Sequence, residues 1–289
     1  MTTRRLPDFI VAGVRKCGTT WLDQCLREHP GIHMPQATKE LFFFDRYWSR
    51  GVNWYADYFA GAGTDQICGE VSPTYFTAPE GPARILETLP NVKLVFVFRD
   101  PVERVVSLYH HMRAKGDTAL PLADAIDTLP ELLEEGFYAR YFAHYRDTFS
   151  EGVFPLILDD LQVAGEDALK PLFKFLGVDA QFQPVALSER AYERREARSR
   201  TIARMATGTS RLLHAMGLHR AVAAAKAVGA ERIVMRKPNA PSEAVEPAIA
   251  ARLHALYDDD IARLGDMLGR DLRELWSIER TPSGGGMRE

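Results

Sequence analysis

Apolar positions in this chain form short uninterrupted runs that alternate with stretches of helical spacing. That pattern is expected of strands buried on both faces of a parallel sheet and joined by helices. The first run, Phe9 to Val14, breaks into a glycine-bounded basic loop, after which Trp21, Leu22, Cys25 and Leu26 mark one face of a helix from Thr19 to about Glu28. His29-Pro30-Gly31 stops that helix. Trp54, Tyr55, Tyr58 and Phe59 then recur at helical spacing, an aromatic set suited to a core. Residues 66 to 76 begin as a short strand that turns at Ser72-Pro73, and Pro82 to Leu89 reads as a helix. Val92 to Phe98 is almost wholly apolar, the clearest interior strand, and ends in Arg99-Asp100-Pro101. A helix from about Val102 to Arg113 follows, with Pro101 suited to its first turn. Gly136 to Phe149 reads as an aromatic-rich helix, Val153 to Leu158 as a strand, and the stretch up to Phe175 and Leu176 as another helix.

The later part is plainer. Ser188 to Arg200 is rich in arginine with little to bury and reads as a surface loop or arm; Thr201 to Ala227 reads as an alanine-rich helix, and Val234 to Pro241 as a connection. Pro247 to Leu268 is an amphipathic helix closing on Gly269. The fold class expected is α/β, a single domain over 1–279 with a disordered tail at 280–289.

Composition narrows the function. The chain has 289 residues, 46% of them hydrophobic and 26% charged, enough for one sizeable α/β core. A formal net charge of −3 without a long basic tract argues against nucleic-acid binding. No apolar run reaches the ~18 to 20 residues a membrane span needs. Cys17, Cys25 and Cys68 lack metal-ligand spacing, and the first residues lack the apolar core of a signal peptide, so a soluble cytoplasmic chain with reduced thiols is expected.

The loop after the first strand carries the chemistry. Gly13 and Gly18 free the backbone to turn, Thr19 and Thr20 stand where a helix begins, and Arg15 and Lys16 add charge beside the unpaired N–H groups of that helix start. A phosphate is the expected ligand. A Walker A loop carries its lysine directly after the second glycine, whereas here that place is Thr19 and the lysine is Lys16, inside the loop. A nucleoside triphosphate therefore does not follow.

Gly-Val-Arg-Lys-Cys-Gly-Thr-Thr-Trp-Leu at 13 to 22, paired with Arg-Asp-Pro-Val-Glu-Arg-Val-Val-Ser-Leu-Tyr at 99 to 109, resembles the signature of sulfotransferases that use 3′-phosphoadenosine 5′-phosphosulfate. Lys-Glu-Leu-Phe-Phe-Phe-Asp at 39 to 45 and Gly-Glu-Val-Ser-Pro-Thr-Tyr-Phe at 69 to 76 extend the resemblance, toward bacterial members related to heparan sulfate sulfotransferases. It implies a P-loop-like three-layer fold, with a central parallel sheet flanked by helices. It implies that Arg15, Lys16, Cys17, Gly18, Thr19 and Thr20 hold the 5′-phosphosulfate and that Lys16 meets the oxygen between phosphorus and sulfur. Arg99 and Ser107 match the pair that holds the 3′-phosphate, and Glu40 matches the general base. The product would be 3′-phosphoadenosine 5′-phosphate; the acceptor would be a small molecule or glycan, and no metal is required.

Three points stand apart from that pattern. Val71 occupies a place where related enzymes often carry lysine. The later cofactor loop has no clean counterpart, and Arg194 and Arg195, within the cluster Arg190 to Arg200, are its candidates. The disulfide that secreted-pathway relatives place near that loop is not expected here. Cys17 beside Lys16 and a helix start is a place where a thiol pKa can fall, but the role expected of it is a small side chain beside the phosphate. Glu40 could also simply pair with Lys39 or Arg46, and His110 and His111 read as packed or solvated rather than catalytic. A kinase using a nucleoside triphosphate and magnesium, or a non-catalytic nucleotide-binding protein, are the alternative functions.

Overall fold

The computed structural model describes residues 5–164, 167–187 and 245–277, together with the short pieces 196–197 and 235–236. A five-stranded sheet lies at its centre, built from β1 (Phe9–Gly13), β2 (Ile32–His33), β3 (Ile67–Val71), β4 (Lys93–Phe98) and β5 (Val153–Ile157). The strand order is β2-β3-β1-β4-β5 and every neighbouring pair is parallel. β1 and β4 are buried along nearly their whole length, as their continuous apolar runs require.

The helices are α1 (Thr19–Glu28), α2 (Gly51–Ala56), α3 (Gly81–Thr88), α4 (Pro101–Lys115), α5 (Leu122–Thr128), α6 (Glu131–Glu134), α7 (Tyr138–Phe149), α8 (Leu158–Val163), α9 (Lys170–Leu176), α10 (Pro247–Leu268) and α11 (Leu272–Leu275). They cover both faces of the sheet. On one face Phe96 and Phe98 pack against Tyr138, Phe142 and Tyr145 of α7. On the other, Lys93 reaches α9, donating to the carbonyl of Leu176 at 3.1 Å, while His29 at the end of α1 meets Phe173 edge-on. This is the three-layer α/β arrangement expected from the alternation.

Several expected elements lie where the pattern put them, with α1 and α10 matching residue for residue and Gly269 closing α10 at φ 65°. The single helix expected up to Leu176 is instead two, α8 and α9. The expected aromatic helix begins at Tyr138 rather than Gly136: a Cβ on Gly136 would come within 2.6 Å of the Tyr257 ring, so that residue is spent on close packing against α10. The short strand β2 and the helices α5 and α6 had no expectation. The readings for 188–195, 198–234, 237–241 and 280–289 lie outside the described residues. Within the remainder of that segment, Glu196–Ala197 and Met235–Arg236 pair antiparallel.

The topology positions the site. β1 and β4 are adjacent, and both of their carboxyl ends lead into helices, α1 and α4. Ligands of open α/β sheets bind at such strand ends.

Candidate active site

The loop between β1 and α1 is the centre of the site. Gly13 lies against Phe76, where an added Cβ would come within 2.9 Å of that side chain. Lys16 at φ 70° and Gly18 at φ 98° turn the chain left-handed, and Gly18 begins α1 without any side-chain cap or acidic residue in the first turn. The helix start thus keeps its partial positive charge for an anion.

Cations converge on that point. Burial pushes the Lys16 ammonium down to about 8, and the charges of Lys115, Lys39, Arg99 and Arg15 push it the same way. Like charges gathered round a buried lysine favour an anion beside it. Ser107, His111 and Lys115 recur at four-residue spacing on α4 and so share one helix face. His111 is held down to about 3 by burial and by Lys16, Lys115 and Arg15, so it is a neutral imidazole standing beside these cations.

The structure redistributes two of the expected charges. Arg15 gives its Nε and Nη2 to Glu135, with contacts of 2.6 to 2.8 Å, so its charge is already balanced. Arg99 extends from the end of β4 and places Nε and Nη2 2.8 and 2.6 Å from the Glu103 carboxylate, while its Nη1 donates to the carbonyl of Lys16 at 3.4 Å. That last bond ties Arg99 to the phosphate loop. Ser107 is half-buried on the face that carries His111 and Lys115.

Cys17 departs from its expected place. Its side chain is fully buried with Sγ 3.6 Å from the Tyr138 hydroxyl, and burial pushes the thiol up to about 11 rather than down. Its backbone N–H is given to the carbonyl of Val14 at 3.2 Å. The residue turns into the core, so desolvation outweighs the nearby cations.

Glu40 sits beside the loop. Lys39 Nζ is 3.5 Å from Glu40 Oε1 and donates to the hydroxyls of Thr19 and Thr20 at 3.3 Å each, so one ammonium bridges the carboxylate and the first turn of α1. The simple ion pair with Lys39, one of the two non-catalytic pairings open to Glu40, is thus present, while the other, Arg46, pairs with Asp45 and stacks on the Phe42 ring. Arg194 and Arg195 lie outside the described residues. Lys39, Lys115, His111 and Glu135 had not been singled out as participants. The four-residue spacing on α4 was a legible signal for two of them, whereas nothing local points Glu135 toward Arg15.

A parallel sheet whose first strand feeds a cation-crowded, uncapped helix start is a P-loop-like arrangement, and such a helix start suits an anion. Residues 6–194 match the sulfotransferase domain model, and the chain belongs to that family. It is 42% identical over 108 residues to the membrane-associated sulfotransferase kil1 of Dictyostelium discoideum, covering 36% of this chain and 23% of that protein. It is 35% identical over 152 residues to human heparan sulfate glucosamine 3-O-sulfotransferase 3B1, covering 50% of this chain and 38% of that one. The chain thus spans well under half the length of these relatives. A crystal structure of a sulfotransferase from Alicyclobacillus acidocaldarius shares the fold, with a TM-score of 0.70 at 22% identity over 94% of this chain and 99% of that one.

Family membership speaks against the triphosphate-kinase reading. The cytoplasmic expectation also falls, because a relative sharing 42% identity is named as membrane-associated. Reduced thiols and a polar amino terminus do not fix a location. Among the described residues no helix is long and apolar enough to cross a membrane.

Proposed function

We propose that this chain transfers a sulfuryl group from 3′-phosphoadenosine 5′-phosphosulfate to a hydroxyl, or an amine, of a carbohydrate-like acceptor. The observation that carries the reading is the Lys39 bridge. It holds the Glu40 carboxylate next to the helix start where the donor's phosphate would bind. The loop residues suit that donor: an uncapped helix start, the hydroxyls of Thr19 and Thr20, and a lysine depressed by neighbouring cations all await a multiply charged anion. Arg99 and Ser107 would hold the 3′-phosphate. The donor supplies an activated sulfur–oxygen bond.

The chain's own residues position and neutralise. Lys16 meets the oxygen that leaves with the phosphate and stabilises its growing charge as the S–O bond breaks. Glu40 accepts the acceptor's proton as the new S–O bond forms. Positioning and charge stabilisation supply most of the catalysis when bond breaking runs ahead of bond making. No metal takes part in this scheme.

A cleft of about 240 Å³, lined by Arg15, Asp45, Arg46, Thr74, Thr77 and Glu135 among others, touches the phosphate loop through Arg15, although Glu40 and Lys16 do not line it. Its lining is polar, and its cations are matched by carboxylates, which suits a hydroxyl-rich acceptor better than a lipid tail. The human relative named for heparan sulfate glucosamine points the same way.

Incubation with the labelled donor and a panel of glycans, amines and phenols tests the reading. The expected result is stoichiometric 3′-phosphoadenosine 5′-phosphate and a sulfated glycan, with Lys16→Ala reducing turnover by roughly 10² or more. Full activity in Lys16→Ala, or failure to bind the donor at all, would reject it.

A further inference from the structure

Glu70 is completely buried in β3, and the reaction scheme gives it no task. Its carboxylate gathers three hydroxyls. Tyr55 donates to Oε1 at 2.6 Å, while Ser72 and Tyr75 donate to Oε2 at 3.0 and 3.5 Å. Two of these hydroxyls also accept backbone N–H groups. Leu41 donates to Ser72 Oγ at 3.1 Å and Phe43 donates to the Tyr75 hydroxyl at 2.8 Å.

These two N–H groups flank Phe42, which is left-handed at φ 53°, and the first of them belongs to the residue directly after Glu40. A bulky residue in that region is strained and persists only where its surroundings impose it. Both imposed bonds lead to Glu70.

We propose that Glu70 is a positioning residue which, through Ser72 and Tyr75, fixes the backbone that presents Glu40 to the acceptor. The proposal rests on reading Glu40 as the base. A carboxylate only accepts, so each hydroxyl turns its single proton toward Glu70 and leaves its lone pairs for Leu41 and Phe43. An amide at this position keeps one acceptor oxygen for Ser72 and Tyr75 when its NH2 turns toward Tyr55, so the hydroxyl variants separate the two arms. Hydroxyl chains between an ionised group and the backbone act cooperatively in a dry core, so removing the Ser72 or Tyr75 hydroxyl reaches the 40–43 turn. Tyr55 lies on the other oxygen and does not hold that turn, although its ring stacks on Phe43. Burial pushes the Glu70 carboxyl up to about 7, the three hydroxyls hold it down, and Asp45 pushes it further up.

Kinetics on Ser72→Ala, Tyr75→Phe, Tyr55→Phe, Glu70→Gln and Glu40→Gln decide the matter, with thermal midpoints measured in parallel. Ser72→Ala and Tyr75→Phe are expected to lower kcat at least tenfold, and Glu70→Gln, which keeps one oxygen for both hydroxyls, by less, while all three leave the dissociation constant of 3′-phosphoadenosine 5′-phosphate within twofold. Tyr55→Phe is expected to lower the thermal midpoint comparably but kcat by twofold or less. Should Glu70→Gln not fold, the comparison of the three hydroxyl variants decides alone. Equal kcat losses in Tyr55→Phe and Ser72→Ala, or unchanged kcat in Ser72→Ala and Tyr75→Phe, would overturn the proposal. Full kcat in Glu40→Gln would instead reject the base assignment, an outcome separate from the others.

Discussion

Arg15 and Glu135 lie 120 residues apart in sequence and meet through both oxygens of the carboxylate at 2.6 to 2.8 Å. Behind Glu135 stands Arg104, fully buried on α4, with Nη1 3.9 Å from the same carboxylate and Nη2 donating to the carbonyl of Leu132. Its Nε and Nη1 have no hydrogen-bond partner. One glutamate is therefore shared by two arginines, and its single charge offsets only one of theirs. Glu135→Ala leaves a buried cation uncompensated and is expected to cost about 3 kcal/mol or more, the usual penalty for breaking a buried pair. Urea unfolding measures it, and a loss below about 1 kcal/mol would mean that the pair contributes as little as a surface bridge.

Donor binding should depend on pH through Lys16. In the free protein its pKa stands at about 8, and an adjacent phosphate favours the charged form and raises it. Binding near pH 8 then takes up a proton, and affinity falls as pH rises above 8, by up to about tenfold per unit. Titration calorimetry in two buffers of different ionisation enthalpy reads the proton directly. Proton release, or a pH-independent affinity from 7 to 9.5, would contradict the placement of Lys16 against the phosphate.

Glu40→Gln separates binding from chemistry. Removing a base that acts in the transition state should lower kcat by roughly 10² to 10⁴ while the dissociation constant of the desulfated nucleotide changes little. The Lys39 bridge to Thr19 and Thr20 persists in this variant, so the donor site keeps its shape. A parallel loss of nucleotide affinity would place Glu40 in the binding site instead.

Stability should fall as pH rises from about 4.5 to 7. Glu70 is raised from 4.5 to about 7 and Asp100 from 3.8 to about 7, both chiefly by burial. In that window the folded chain binds more protons than the unfolded one, so their contribution is full below the unfolded pKa and is lost toward the folded one. His111, held down to about 3, works in the opposite sense between 3 and 6.5. Comparing the wild type with Glu70→Gln across pH 5 to 8 isolates the first term. The difference in unfolding free energy should grow in the variant's favour as pH rises, and a constant difference would show that Glu70 does not titrate there.

Much of the fold was legible because its signals are local. A continuous apolar run bounded by turn residues places β1 and β4, and Pro247 and Gly269 bracket α10 to the residue. The turn into α1 was equally plain, since glycine spacing, basic residues and a helix start lie within a few positions of one another. Less was legible where an element is too short to carry periodicity, as in β2 with its two residues, or where a helix is broken, as between α8 and α9. Glu70 left a faint signal, a lone charge inside a buried strand, but its task was hidden because its partners come from α2 and from the turn after β3.

By itself the sequence determined the alternation of strands and helices and the glycine-bounded basic loop at 13 to 20, since these follow from spacing along the chain; Arg99 and Ser107 were joined to that loop by a family resemblance. Only the tertiary structure decided how the charges are shared: Arg15 is balanced by Glu135, Cys17 turns into the core, Lys39 joins Glu40 to Thr19 and Thr20, and Glu70 anchors the turn beside Glu40. The reason is physical. Which group carries a free charge depends on burial and on neighbours brought together from distant segments, and neither is written in local spacing.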